Sequence, residues 1–399
     1  MPYPYALPLP LDALLPHYTH VLFSSGCTVP VLHPALPPSA HCIPALSFVH
    51  WYTQHPSRPA SPPPLERIKH VTIIGQGNVS LDVARMLLLP PSRLAHHDVP
   101  ASVLSVLERS AVEHVSIVGR RGPLQAAFTT KELREMISLP DAAMAPLDPA
   151  VLQVEGTPTR QQARTLDLLR RGSKNAWGTT RKTWSLDFFR SPTGLDAPSA
   201  PGDRATLHLA RTRLDARQRA VPTGEEEYTA TDLVVTALGH RAEDGAPWLD
   251  AQAGHVRAER GRVLDTEGRV VRGAYASGWA AMGARGVIAS TMMDAFAVAE
   301  TILRDALPGA WAAEGREAEA EGREEMVLEG LGKGDVGPDA VPPDVEAGVR
   351  DGRVTQFPDW FAVNAEEIMR GEAMGKERER MVWEEARDFL ARRKAAVSS

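Results

Sequence analysis

Apolar positions along the chain follow two rhythms. Short β-branched runs closed by glycine read as buried strands: VLFSSG at 21–26, HVTIIG at 70–75 and HVSIVGRRG at 114–122. ATLHLARTRL (205–214), TDLVVTALG (231–239) and GRVVRGAYASGWA (268–280) are strand-like as well. Apolar spacings of three and four predict helices over SLDVARMLLL (80–89), which Pro90-Pro91 stops, and over TTKELREMISL (129–139). The same spacing marks RQQARTLDLLRR (160–171), GVIASTMMDAFAVAETILRDAL (286–307) and an amphipathic WEEARDFLARRKAA (383–396). A helical stretch, ASVLSVLERSAVE, leads into the run at 114. Two strands joined by a helix make a βαβ unit with a parallel sheet, so the fold class is α/β. Residues 29–65 are Pro-rich with one aromatic island, FVHWY (48–52), and read as a connector packed by its aromatics. Residues 313–351 are acidic and rich in Gly and Pro, and predict a mobile excursion. No internal repeat stands out.

Composition narrows the classes. At 399 residues and 43% hydrophobic, the chain suffices for two or three domains of roughly 150 residues. A formal net charge of −6 disfavours bulk nucleic-acid binding. No apolar run approaches the ~20 residues of a membrane span. The cysteines are Cys27 and Cys42, which excludes a disulfide framework and a zinc cluster, and they are too far apart for a CxxC pair. The first basic side chain is Arg58, so MPYPYALPLPLDALLPHY offers neither a secretory n-region nor an Arg-rich presequence. A chain that opens almost inside a strand carries the expectation of further sequence upstream.

The candidate chemistry begins at TIIGQGNVSLDVAR (72–85). Gly75 permits a tight strand-to-helix turn, and Gly77 lets backbone approach a phosphate. The amides that follow, at the positive end of a helix, face the anion. The third fingerprint position holds Ser80, small enough for helix to pack on strand. The end of the second strand selects the dinucleotide. An acid there would bond the ribose 2′-OH of NAD, whereas this strand ends in Arg120-Arg121-Gly122, two forks suited to the 2′-phosphate of NADP. From Gly75 to Arg120 is 45 residues, against about 20 in a minimal unit. Residues 90–113 supply that excursion.

IIGQGNVSLDVARMLL, VGRRGPLQAAFTTKELREM, LDFFRSP and ASGWAAMGARGVIASTMMDAF together resemble the NADPH–adrenodoxin oxidoreductase family, the mitochondrial ferredoxin–NADP reductases. The likeness runs in order through most of 17–305, and FPDWFAVNAEEIMRGEAMGKERERMV is similar to the family's C-terminal segment. The resemblance implies a Rossmann-like NADP-binding domain (31–240) inserted in an incomplete FAD-binding domain (1–30 and 241–310), followed by the acidic excursion and family segment at 311–399. It implies that the NADP pyrophosphate lies over Gln76, Gly77, Asn78 and Val79, that the 2′-phosphate meets Arg120 and Arg121, and that Glu132 is a further NADP contact. It places Trp279 against the flavin, with Gly286, Val287 and Ile288 supplying backbone near the ring and Gly286 also near the nicotinamide. Asp82 takes a catalytic role by resemblance, its partner histidine falling upstream of Met1.

The resemblance also implies an upstream Gly-rich turn for the ADP part of FAD, and no GxGxxG precedes Gly75. The chain as written is therefore expected to keep NADP affinity and to bind FAD weakly or not at all. For an intact member, NADPH supplies two electrons, a [2Fe–2S] ferredoxin accepts one at a time, and a flavin mediates. An acidic, adrenodoxin-like ferredoxin would dock on a basic face, for which Arg160, Arg164, Arg170 and Arg171 are candidates. The alternative is a truncated NADP-binding remnant without turnover. A glutamate synthase small subunit would need N-terminal cysteine clusters, and a thiol–disulfide flavoenzyme would need a CxxC.

Overall fold

The computed structural model describes residues 9–154, 156–200, 202–245, 247–307, 324–332 and 340–397. They divide into two compact units, one drawn from 1–31 and 239–356, the other from 32–238 and 357–399. The first unit contributes strand β1 (Val21–Phe23), preceded by short helical turns over Leu11–Leu14 and Leu15–His17, before the chain enters the second.

In the second unit the chain forms β2 (Cys42–Pro44), α1 (Ala45–Tyr52), β3 (His70–Ile74), α2 (Asn78–Leu88), α3 (Ala101–Glu108) and β4 (His114–Gly119). It continues through α4 (Thr130–Ile137), β5 (Ala142–Met144), α5 (Arg160–Arg171) and β6 (Lys182–Phe188), then β7 (Arg190–Asp196), β8 (Ala205–Leu214), β9 (Ala220–Thr231) and β10 (Leu233–Thr236). Six strands form one sheet in the order β2-β10-β3-β4-β6-β5, every pair parallel. Val71, Ile73, Val115 and Ile117 are buried on one face and Thr72, Ile74, Ser116 and Val118 on the other, as a sheet covered on both faces requires. Leu81, Val83, Ala84, Leu87 and Leu88 form the buried stripe of α2. The aromatic island is not part of an irregular connector: it lies in α1, where Ala45, Phe48 and Trp51 at helical spacing enter the core. Strands β7 to β9 make a separate antiparallel sheet, and Leu207 and Leu209 of β8 pack with Ile74, Val118 and Val234.

Back in the first unit, after several two-residue strands between His240 and Glu259, the chain forms β11 (Arg262–Leu264), β12 (Val270–Ala276), a single turn α6 (Trp279–Met282), α7 (Ile288–Ala306), β13 (Glu325–Val327) and α8 (Pro343–Arg350). Both β1 and β13 pair with β12 in parallel, and β11 pairs antiparallel. Leu15, Val256, Val263, Val271, Ala274, Ala276 and Leu328 form the core. Helix α7 buries Val298, yet Ile288, Met293 and Phe296 are exposed by 89%, 64% and 66%. The amphipathic spacing read there produces an apolar stripe that faces outward among the described residues. Of the excursion at 313–351, residues 313–323 and 333–339 lie outside the described residues. The remainder holds β13 and α8, because the open side of β12 offers backbone partners to Glu325–Val327.

The chain ends on the second unit with α9 (Phe357–Ala373) and α10 (Trp383–Val397). Between them Lys376, 8% exposed, donates to the Val99 carbonyl at 2.5 Å, and Glu379 accepts from the Ala101 amide at the start of α3 at 3.0 Å. No helix among the described residues is long and apolar enough to cross a membrane.

Candidate dinucleotide site

Strand β3 ends between β10 and β4, at the carboxyl edge of the sheet's central strands. Open α/β sheets bind ligands outside that edge. The pairing extends one residue beyond the strand: the Gly75 amide donates to the Val118 carbonyl at 2.8 Å, and the Ala237 amide donates to Ile74 at 2.8 Å. Gly75 has φ +123°, and any Cβ there would collide with the Ala237 carbonyl oxygen. Gly77 caps α2 in extended geometry with open space where a Cβ would be, so a phosphate can approach its backbone. The helix starts at Asn78, two residues earlier than its apolar pattern suggests, so the Asn78 and Val79 amides belong to its positive end. Ser80 is fully buried, and its hydroxyl has no hydrogen-bond partner among the described residues.

A second loop is clasped to this turn. The Gln76 carbonyl accepts from the Ala127 amide at 2.8 Å and the Phe128 amide at 3.1 Å, and Asn78 Oδ1 accepts from the Thr129 amide at 2.8 Å. Gln76 Nε2 donates to the Ile117 carbonyl at 3.2 Å, its side chain filling the space left by Gly119. This loop opens with Arg120 and Arg121, both exposed at the carboxyl end of β4. Neither guanidinium has a carboxylate partner among the described residues, although arginines elsewhere in the unit, such as Arg190, Arg204 and Arg211, are paired. His33 lies close enough that Arg120's charge, after burial, helps to lower its pKa.

Asp82 and Glu132 meet through a residue that sequence reasoning missed. Arg85 binds Asp82 and Glu135, and its Nη1 is 3.2 Å from Glu132 Oε2. Burial raises the Asp82 pKa; Arg85 opposes this, and Glu132 and Glu135 add to it. Three carboxylates around one guanidinium leave the cluster short of positive charge. The spacing of Asp82 and Arg85, three residues apart on a helix, was the available signal.

Trp279, Gly286, Val287 and Ile288 belong to the first unit. Gly278 turns at φ +63° and presents Trp279, which is 38% exposed. Asp294 of α7 accepts from the Gly278 amide at 2.6 Å and the Ser277 hydroxyl at 2.9 Å, tying this turn to the first turns of α7. Gly286 has φ +84°, where a Cβ would strike Ser290 Oγ, and the Val287 amide donates to that oxygen at 3.0 Å. An exposed indole beside an open helix N-terminus suits an electron-rich planar ring. Cys27 Sγ donates to the Trp279 carbonyl at 3.1 Å, and burial raises its pKa. Asp294 and Cys27 gave no sequence signal beyond their residue type.

Arg160, Arg164, Arg170 and Arg171 are exposed on α5, whose buried face is Thr165, Leu166, Leu168 and Leu169. Asp167 sits among them: Arg170 pairs with its carboxylate at 3.4 Å, and Arg171 Nε donates to its carbonyl at 3.3 Å. Gln162 Nε2 donates to the Leu124 carbonyl at 3.0 Å, linking α5 to the loop after Arg121. No metal-binding group of three or more His, Cys, Asp or Glu occurs among the described residues.

A glycine turn at the carboxyl end of a central parallel strand, with a cationic loop beside it, defines an α/β dinucleotide-binding protein. No family model matches the chain. The human mitochondrial NADPH:adrenodoxin oxidoreductase is 37% identical over 356 residues, covering 85% of this chain and 67% of that protein. The Arabidopsis thaliana mitochondrial enzyme of the same name is 31% identical over 377 residues, covering 87% and 71%. Among solved structures, Mycobacterium tuberculosis FprA in complex with NADPH superposes with a TM-score of 0.76 at 28% identity, covering 95% of this chain and 79% of that one. The chain belongs to the NADPH:adrenodoxin oxidoreductase family and spans about two thirds of the length of its animal relatives.

Proposed function

We propose that this chain binds NADPH and passes its electrons through FAD to a [2Fe–2S] ferredoxin of the adrenodoxin type, in the mitochondrion. The observation that carries the reading is the pair of unpartnered guanidiniums, Arg120 and Arg121, next to the Gly75–Val79 turn. Gly77, Asn78 and Val79 hold the pyrophosphate on backbone amides, and Gln76 fixes the turn against β4. Arg120 and Arg121 take the 2′-phosphate through fixed forks. Glu132, held by Arg85, borders the same helix pair and is a further dinucleotide contact.

The first unit's residues fit a flavin: Trp279 offers an exposed indole, and Gly286, Val287 and Ile288 offer backbone at the start of α7. FAD, when bound, supplies the conversion of a two-electron donor to one-electron steps. Amides at the N-terminus of α7 favour negative charge accumulating nearby. Asp82, its pKa raised by burial, holds a proton more readily than a free carboxylate and is the candidate proton relay. Arg160, Arg164, Arg170 and Arg171 supply the ferredoxin-docking face, with the charge of Arg170 partly offset by the Asp167 carboxylate.

Adding FAD, a [2Fe–2S] ferredoxin and cytochrome c to purified chain tests the whole reading. NADPH-dependent reduction of cytochrome c that requires both additions supports it. NADPH binding without flavin uptake or turnover favours a nucleotide-binding remnant instead.

A further inference from the structure

The β7–β9 sheet is not needed to build a dinucleotide fold, and its contacts with the cationic loop suggest what it does. Thr212 of β8, 7% exposed, donates its hydroxyl to the Arg120 carbonyl at 2.8 Å. The Thr212 amide donates to the Phe189 carbonyl at 2.9 Å, and the Phe189 amide reaches the Arg121 carbonyl at 3.4 Å. Phe189 joins β6 to β7 at φ +57°, a conformation unfavourable for a bulky side chain. Its ring covers Gly122, where a Cβ would lie 2.5 Å from Cζ. Gln125 Nε2 donates to Gln218 Oε1 at 2.8 Å, tying the loop to the turn between β8 and β9. Three successive residues, Arg120, Arg121 and Gly122, are thus gripped from one side by Thr212 and Phe189.

We infer that Thr212 and Phe189 are positioning residues for coenzyme selectivity: they brace the backbone of Arg120 and Arg121 so that both guanidiniums converge on the ribose 2′-phosphate. A fork-shaped cation binds a phosphate well only when its backbone is held in register, and two long side chains on a free loop lose much of that advantage to entropy. The backbone strain at Phe189 persists because the surrounding contacts over-determine it. Among the described residues the hydrogen bonds of Thr212 and Phe189 reach Arg120 and Arg121 and not the 75–79 turn, so the brace bears on the 2′-phosphate more than on the pyrophosphate.

This inference rests on the assignment of Arg120 and Arg121 to the 2′-phosphate, and the test separates the two. Calorimetric titration of the full chain with adenosine 2′,5′-bisphosphate and with adenosine 5′-monophosphate isolates the 2′-phosphate. The unmodified chain should prefer the bisphosphate. Thr212→Val should cut that preference by about 5- to 10-fold, as loss of one buried hydrogen bond does, with monophosphate affinity unchanged, and Thr212→Ser should restore it. Phe189→Gly, which tolerates the positive φ but removes the ring, should lose the preference in the same way, and decides the matter if Thr212→Val fails to fold. An unmodified chain without preference overturns the arginine assignment and the brace with it. A preference that survives in the folded variants, or an equal loss for both ligands, overturns the brace alone.

Discussion

Acid should loosen the second unit from the start of its central strand. His70 opens β3, with its ring edge against His114 at 4.9 Å between centroids. Its Nδ1 is 3.0 Å from the Ala230 carbonyl and its Nε2 is 2.8 Å from Ser116 Oγ. Burial, with the neighbouring His114 and Arg204, pulls its pKa from 6.5 down to about 4, while the Ala230 carbonyl and Asp232 oppose the shift. The unfolded chain therefore takes up this proton first. The stability His70 contributes is complete above 6.5 and is lost as the pH falls toward 4. At about 1.4 kcal/mol per pH unit, the loss between pH 7 and pH 5 is about 2 kcal/mol from this ring alone. His114, also lowered by burial and opposed by Asp187, adds to it in the same direction. Urea melts at the two pH values, on the original chain and on His70→Gln, isolate the ring. Glutamine keeps polar atoms in the site but does not titrate there, so its acid loss should be smaller by about 2 kcal/mol. Equal losses in the two proteins would refute the linkage.

Gly75→Ala should abolish measurable NADPH binding, because a Cβ at φ +123° drives the turn off the Ala237 carbonyl; fluorescence titration against the original chain reads this. Asp294→Ala should cost about 1.5–3 kcal/mol by leaving the Gly278 amide and Ser277 hydroxyl without their acceptor. Thermal melts report that cost, and flavin uptake measured by absorbance should fall with it. Ferredoxin association should weaken steeply with salt and slow further in Arg160→Glu with Arg164→Glu, as stopped-flow rates would show. A salt-independent rate would remove α5 from the docking face.

The parallel sheet was legible where burial on both faces makes a strand uniformly apolar, as in HVTIIG and HVSIVG. Strand β2 was not, because three residues carry no periodicity and Cys42–Pro44 extend only by pairing with β10. Strand β9 was hidden because its Thr-Gly-Glu-Glu-Glu stretch faces solvent, so no apolar alternation marks it. The Gly75 turn and the place of the arginine pair at the end of β4 could be read directly, since one follows from a backbone need and the other from its position after a strand. Arg85, Thr212 and Asp294 could not. Their roles are hydrogen bonds and ion pairs to residues remote in sequence or on another helix face, which local pattern does not encode. The 286–307 helix was readable as a helix, but which side its apolar residues would face was not.

The claim most exposed to test is that Arg120 and Arg121 select the phosphorylated coenzyme. Titrating the chain with NADPH and NADH, before and after replacing both arginines with alanine, measures it directly. Two charge-assisted contacts at about 1.5–3 kcal/mol each predict an NADPH preference of about 100-fold or more that the double variant loses, with NADH affinity held. Equal affinity for the two coenzymes in the unmodified chain would contradict the account.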